Sequence, residues 1–205
     1  MEFLSNTNIQ LYILAYLIGS IPFGFLLAKF IGKVDVRKEG SGNIGATNVL
    51  RVLKEKNPDL AKKLGAATLA LDAVKGIVVL LIGHALGASE ATMWAIAVFA
   101  VIGHCFSIFL WGEGGKGVAT GLGVLLYMIP VCALIGIAVW LVSAKVFKVV
   151  SLASLIGVIG AVAASFVLHP DIAHSPVVII GLIIFYKHSE NIYRLFSGKE
   201  SKIAQ

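Results

Sequence analysis

A chain of 205 residues that is 58% hydrophobic and 14% charged, with a net charge of +6 and a mean hydropathy of +0.92, lies far from a soluble domain, in which about 25% of residues are charged. This excludes an ordinary soluble enzyme and identifies an integral membrane protein, whose 22 glycines suit close helix packing in lipid. Cys105 and Cys132 both fall inside apolar runs, so neither a disulfide framework nor a metal-ligand spacing is present.

In chain order, apolar stretches of the roughly 17 residues or more needed to cross a bilayer occur near 9–31, 65–87, 92–111, 131–147, 151–168 and 171–187. The first has no basic region before it and further spans follow, so it reads as an uncleaved helix rather than a signal peptide. A further run, 118–129, is too short, reaching only about 18 Å at about 1.5 Å per residue; 118–147 is either one overlong helix interrupted by Pro130 or a half-helix followed by a full one, and charge decides between them. Counted as a segment of its own, the short run leaves all 17 Lys and Arg on one side. The other side holds the N-terminus, residues 85–91, the Pro130 corner and residues 169–175, with no Lys or Arg. The positive-inside rule then predicts an all-α bundle of seven segments with one short half-helix, N-terminus outside and C-terminus cytoplasmic, in a single membrane-embedded domain over 1–205.

The same count puts every polar, glycine-rich stretch on the cytoplasmic face, where they are expected to converge on one site. The densest is Gly112–Gly121. Gly114, Gly115 and Gly117 let backbone N–H groups approach an anion, Lys116 brings charge, and the half-helix beyond, with Thr120 near its start, aims a partly positive N-terminus at the same place. It is not a P-loop, since Leu110 stands where a glycine would be needed and Gly117 where Ser or Thr would be. A second stretch runs from Gly40 to Arg51. Ser41, Gly42, Asn43, Gly45 and Asn48 offer a hydroxyl, two carboxamides and close backbone approach, and Arg51 is able to grip a phosphate bidentately.

His104 lies a helical turn or two before the glycine loop, and Asp72 and Lys75, at i and i+3, are expected to neutralise one another on one helix face. Ser151 opens a helix with Ser154 three residues on; it suits an N-cap, and the hydroxyl with the helix N-terminus also suits an oxyanion. His188 and Asn191 share a helical face that Arg194 extends. No histidine is followed five residues later by aspartate, the pair used by soluble-type glycerolipid acyltransferases, and H-E-x-x-H and G-x-S-x-G are absent.

Together, Gly19-Ser20-Ile21-Pro22-Phe23-Gly24, Asp35-Val36-Arg37-Lys38, the run Ser41 to Arg51, Gly103-His104, Gly114 to Thr120, Ser151-Leu152-Ala153-Ser154 and His188 with Asn191-Ile192 and Arg194-Leu195 resemble the bacterial acyl-phosphate:glycerol-3-phosphate acyltransferase family, called PlsY. The resemblance runs in order from about residue 16 to 195. It implies a seven-segment inner-membrane enzyme with a cytoplasmic active site that moves a fatty acyl group from acyl phosphate to the 1-hydroxyl of glycerol 3-phosphate, giving lysophosphatidate and phosphate. The implied partners are those two substrates and membrane lipid, with no nucleic acid, cofactor or metal. Departures from the family pattern are Ser107 where proline is usual, Glu113 in the glycine loop, and Ser189 after His188.

A mixed anhydride is already activated, so such a protein mainly positions two anions and stabilises the departing phosphate. Lys116 is the candidate for that stabilisation. The proton of the attacking hydroxyl goes to His188, His104 or the substrate's own phosphate. The alternative, a small transporter or channel for a phosphorylated metabolite, calls for internal repeats or polar residues reaching the far side, and neither is present.

Overall fold

The computed structural model describes residues 6–202, and all regular structure among them is helical. The chain divides between Val124 and Leu125 into two compact units.

In the first unit, α1 (Thr7–Ser20) is N-capped by Asn6, whose Oδ1 accepts from the Asn8 N–H at 2.9 Å. Pro22 has no N–H to continue the helix and forces Ile21 into an extended conformation, so the expected first span is broken before α2 (Phe23–Phe30). A short amphipathic helix, α3 (Ala46–Lys54), buries Val49, Val52 and Leu53. Next, α4 (Pro58–Ala85) starts on an Asn57 cap with Pro58 in its first turn. Its 28 residues reach about 42 Å, more than the hydrocarbon thickness of about 30 Å, and so its first turns, with Asp59, Lys62 and Lys63, extend beyond the apolar stretch. Ser89 caps α5 (Glu90–Cys105), which ends at Phe106 and is followed by a single 3-10 turn, Ile108–Leu110. The short helix α6 (Val118–Met128) crosses the division between the units.

Close packing within this unit depends on glycine. A Cβ on Gly19 would overlap the Ala100 backbone, and one on Gly103 the Tyr16 backbone, so α1 and α5 approach with no side chain between them. The break in the first span leaves two carbonyls to satisfy. The Ser107 hydroxyl donates to Ser20 O at 2.6 Å and the Lys75 ammonium to Ile21 O at 2.8 Å. Ser107, standing where proline is usual, thus still marks the end of α5 and adds a bond that proline could not.

In the second unit, Pro130 occupies the first turn of α7 (Pro130–Phe147). A left-handed Lys148 (φ 56°) turns the chain into α8 (Val150–Leu168). Then come α9 (Ser175–Lys187), with Pro176 in its first turn, and the amphipathic α10 (Ser189–Phe196). The run expected over 171–187 is helical only from Ser175. Ser151 does not take the expected N-cap position: Val149 holds it with no side-chain bond, and Ser151 is the second residue of the helix.

Among the described residues, five helical stretches are long and apolar enough to cross a membrane, namely Thr7–Phe30, Pro58–Ala85, Glu90–Leu110, Pro130–Phe147 and Val150–Leu168. Val118–Met128 and Ser175–Lys187 are apolar but shorter.

Candidate active site

The glycine loop of the first unit is built on the end of α5. Gly115 N–H donates to His104 O at 3.0 Å, and a Cβ on Gly115 would enter the His104 imidazole at Nε2. Gly114 is equally confined against the His104 and Cys105 backbone. Lys116 lies between buried Gly115 and buried Gly117, which adopts φ 87° to feed the chain into α6. The N–H groups of Val118, Ala119 and Thr120 form the first turn of that helix, which has no intrahelical acceptors to offer them. The Thr120 side chain has a structural use: wholly buried, its hydroxyl donates to Asp72 O at 2.9 Å.

Beneath the loop is a buried charge cluster. Lys75 Nζ is 2.9 Å from Asp72 Oδ1, and His104 Nδ1 is 3.6 Å from the same oxygen. All three residues are at most 4% exposed. The pair expected from the sequence is therefore present, and it links α4 to the α1–α2 break through Ile21 O and to α5 through His104. Removing one partner would leave the other charge buried and uncompensated. With one ring edge toward Asp72 and the other under Gly115, His104 braces the loop.

The second polar stretch folds around Asn48. This buried carboxamide accepts from Ser41 N–H at 2.8 Å and donates to Val36 O, Glu39 O and Asn43 O at 2.9, 3.1 and 2.8 Å. Asn48 thus fixes the shape of 36–45 from the first turn of α3. Asn43 Oδ1 accepts from Gly45 N–H at 2.8 Å, while Gly40 and Gly42 take left-handed conformations, φ 63° and 70°. Ser41 and Gly42 are exposed at the tip, and Arg51 is on the exposed side of α3. Just before the loop, Arg37 grips Asp35 through Nε (2.9 Å) and a terminal nitrogen (2.7 Å) and lies 4.4 Å from the Phe25 ring centroid. The hydrogen bond from Arg37 lowers the Asp35 pKa to about 2.

In the second unit, three residues expected at a phosphate meet a carboxylate of the chain itself. Ser151 Oγ and Asn191 Nδ2 donate to Glu200 Oε1 at 2.7 and 2.6 Å, and Arg194 Nε donates to Glu200 Oε2 at 2.8 Å. Arg194 also lies 3.5 Å from Glu190. Sequence reasoning did not single out Glu200. The available signal was Gly198, which ends α10 in a left-handed turn (φ 68°) with Lys199 N–H on Arg194 O and Gly198 N–H on Leu195 O; that Schellman turn brings Glu200 back along the helix. Burial pushes the Glu200 carboxyl up, but the bonds from Arg194, Ser151 and Asn191 outweigh it and hold the group below the ordinary glutamate value.

His188, at the α9–α10 junction and 3% exposed, has Nδ1 2.7 Å from Ile184 O. A carbonyl only accepts, so Nδ1 carries the proton, and in the neutral ring the lone pair belongs to Nε2.

Comparison with known proteins agrees with this chemistry. A model of the family described as glycerol-3-phosphate acyltransferase matches residues 9–198. A glycerol-3-phosphate acyltransferase of Sulfurimonas denitrificans is 58% identical over 99% of this chain and 100% of the relative, and one of Aliarcobacter butzleri is 56% identical over the same shares. Crystal structures of PlsY, an integral membrane glycerol 3-phosphate acyltransferase, share 37% identity. The glycerol 3-phosphate form has a TM-score of 0.87 over 97% of this chain and 96% of that one, and the lysophosphatidic acid form has 0.85 over 96% and 95%. A chain matched at this identity from end to end, with its glycine loop packed on His104 and its polar clusters in place, belongs to the glycerol-3-phosphate acyltransferase family.

Proposed function

We propose that this protein transfers a fatty acyl group from acyl phosphate to the 1-hydroxyl of glycerol 3-phosphate. The hydroxyl oxygen attacks the acyl carbon, the bond from that carbon to the bridging oxygen breaks, and inorganic phosphate leaves with the electron pair. Lys116 meets the growing negative charge on the leaving phosphate, with the glycine-lined start of α6 as its neighbour. Arg51 and the Ser41–Gly45 loop, exposed at Ser41 and Gly42, bind an anionic substrate group. Neutral His188, its Nε2 lone pair fixed by the Nδ1 bond, accepts or orients the hydroxyl proton; the substrate's own phosphate is the other acceptor. The observation that carries the reading is a lysine confined between two buried glycines at a helix start, in a sequence with no histidine followed five residues later by aspartate and no H-E-x-x-H or G-x-S-x-G motif. An already activated donor needs no such pair or motif.

The family match spans 9–198, across the division at Val124, which supports one acyltransferase domain over the whole chain. The one-sided distribution of Lys and Arg supports seven segments in the inner membrane, N-terminus outside, with glycerol 3-phosphate reaching the site from the cytoplasm. In sealed cells, cysteines at Ser89 and Ser175 should then react with an impermeant thiol reagent, and one at Ser201 should not; a labelled Ser201 position would overturn the topology. For the reaction, purified protein given palmitoyl phosphate and glycerol 3-phosphate should form lysophosphatidate without added metal or nucleotide. Failure of the folded protein to do so would sink the proposal.

A further inference from the structure

We infer that Asp72 is a positioning residue for the transfer reaction: from α4 it holds both flanks of Lys116, one through the His104 imidazole and the other through its own backbone carbonyl. The inference rests on the reading above in which Lys116 meets the departing phosphate. It gives the buried charge cluster a task beyond its own neutrality.

The first flank is Gly115. His104 Nδ1 lies 3.6 Å from the Asp72 carboxylate, within ion-pair range, and the opposite edge of the same ring occupies the place a Cβ on Gly115 would take. The Gly115 N–H also donates to His104 O at 3.0 Å, so the residue before Lys116 touches His104 through both ring and backbone. An imidazole turns about its side-chain torsions unless something fixes it. A carboxylate facing Nδ1 fixes it by favouring a proton there. At 4% exposure the ring acts as a wedge under the loop.

The second flank is the first turn of α6. The Thr120 hydroxyl, four residues beyond Lys116, donates to Asp72 O at 2.9 Å. Glycines seat the two helices on each other around that bond. A Cβ on Gly123 would overlap the Ala73 backbone, and one on Gly76 would come within 2.9 Å of Thr120 O, so the start of α6 has no room to slide along α4. One residue of α4 therefore fixes the chain both before and after Lys116. Lys75 makes this possible: its ammonium, 2.9 Å from Asp72 Oδ1, supplies the counter-charge that a carboxylate inside an apolar bundle requires. A buried ion pair that serves stability alone is replaceable by apolar residues of similar volume. A positioning residue is not.

Two double variants exploit that difference. Asp72→Asn/Lys75→Met and Asp72→Leu/Lys75→Met carry the same charge and the same loss at residue 75, but only the first keeps an Oδ1 acceptor opposite His104 Nδ1. In the purified full-length protein, with palmitoyl phosphate and glycerol 3-phosphate, the Leu form should have a kcat about 10-fold or more below the Asn form. KM for glycerol 3-phosphate should agree within about 2-fold, because a displaced charge at the reacting bond costs rate rather than ground-state binding. Equal kcat values in the two folded proteins overturn the inference. In a His104→Gln background the same exchange should change kcat by less than about 2-fold, since the effect passes through the imidazole; an undiminished difference there also overturns it. Should the Leu form not fold, nitrogen NMR of histidine-labelled wild type decides, with His104→Gln identifying the resonances. His104 Nδ1 should carry a proton, and a ring protonated only at Nε2 overturns the brace. That measurement needs no turnover: wild type unable to use palmitoyl phosphate would fail the acyl-transfer reading, and the brace would still stand or fall on the resonance.

Discussion

Lys116→Ala is expected to lower kcat by about 100-fold or more, the effect of deleting a preorganised donor at the position where charge develops, with little change in KM for glycerol 3-phosphate. The reason is confinement. Gly115 is sealed against the His104 ring and Gly117 is held at φ 87°, so the lysine starts from a fixed backbone, which on the proposed reading limits the reorganisation its ammonium would need as the acyl–oxygen bond breaks. Arg51 lies on the exposed side of α3; on the proposed reading it would grip a substrate anion in ground and transition states alike, and Arg51→Ala should act mainly by raising KM. Steady-state kinetics on purified variants, with a thermal melt to confirm folding, separates the two. A folded, nearly fully active Lys116→Ala protein would reduce the glycine loop to a hairpin.

Glu200→Ala should lower both activity and stability. Glu200 holds the side chains of Ser151, Asn191 and Arg194 at 2.6 to 2.8 Å, and its loss would free three groups of the candidate site at once. Displacements on the order of 1 Å cost about 100-fold in rate, and breaking charge-assisted bonds of this kind costs about 3 kcal/mol. The carboxyl titrates lower in the folded protein than in the unfolded chain. The stabilisation is therefore fully present above the ordinary glutamate pKa and lost as pH falls through the folded value. The Tm difference between wild type and Glu200→Gln in detergent should shrink as pH falls from 7 toward the acid range. A difference that persists unchanged in acid, or a Glu200→Ala enzyme as active as wild type, would refute the anchoring role.

How far the sequence could be read depends on whether each signal was local. The half-helix boundary at Pro130 was legible because proline is preorganised for a first turn, and the Asp72–Lys75 contact because i and i+3 residues share a face. The break at Ile21–Pro22 rests on an equally local cue, yet the long apolar run around it masked it. Val49, Val52 and Leu53 carried the apolar spacing of α3, but the glycines and polar residues before them made the whole stretch read as irregular.

The side-chain roles were harder, because they depend on partners distant in sequence. Asn48 and Thr120 have the hydrogen-bonding groups a phosphate needs, and the fold uses them on Val36, Glu39, Ser41, Asn43 and Asp72 instead. His104 presents an imidazole that pattern alone suggests as a base, and its surroundings show it packed under Gly115. Glu200 escaped notice since only the Gly198 turn brings it back to Arg194. Composition could point to candidate anion-binding loops but could not separate residues free to meet an anion from those that hold the loop.

The central claim is an acyl transfer that needs only an activated anhydride and positioned charges. Phosphorus NMR of the purified protein with palmitoyl phosphate and glycerol 3-phosphate, in the presence of a chelator, tests it most directly. The account predicts equal growth of 1-acyl lysophosphatidate and inorganic phosphate signals, with palmitoyl-CoA unable to replace the donor. Lysophosphatidate formed from palmitoyl-CoA but not from palmitoyl phosphate, or phosphate released with no acylated product, would contradict it.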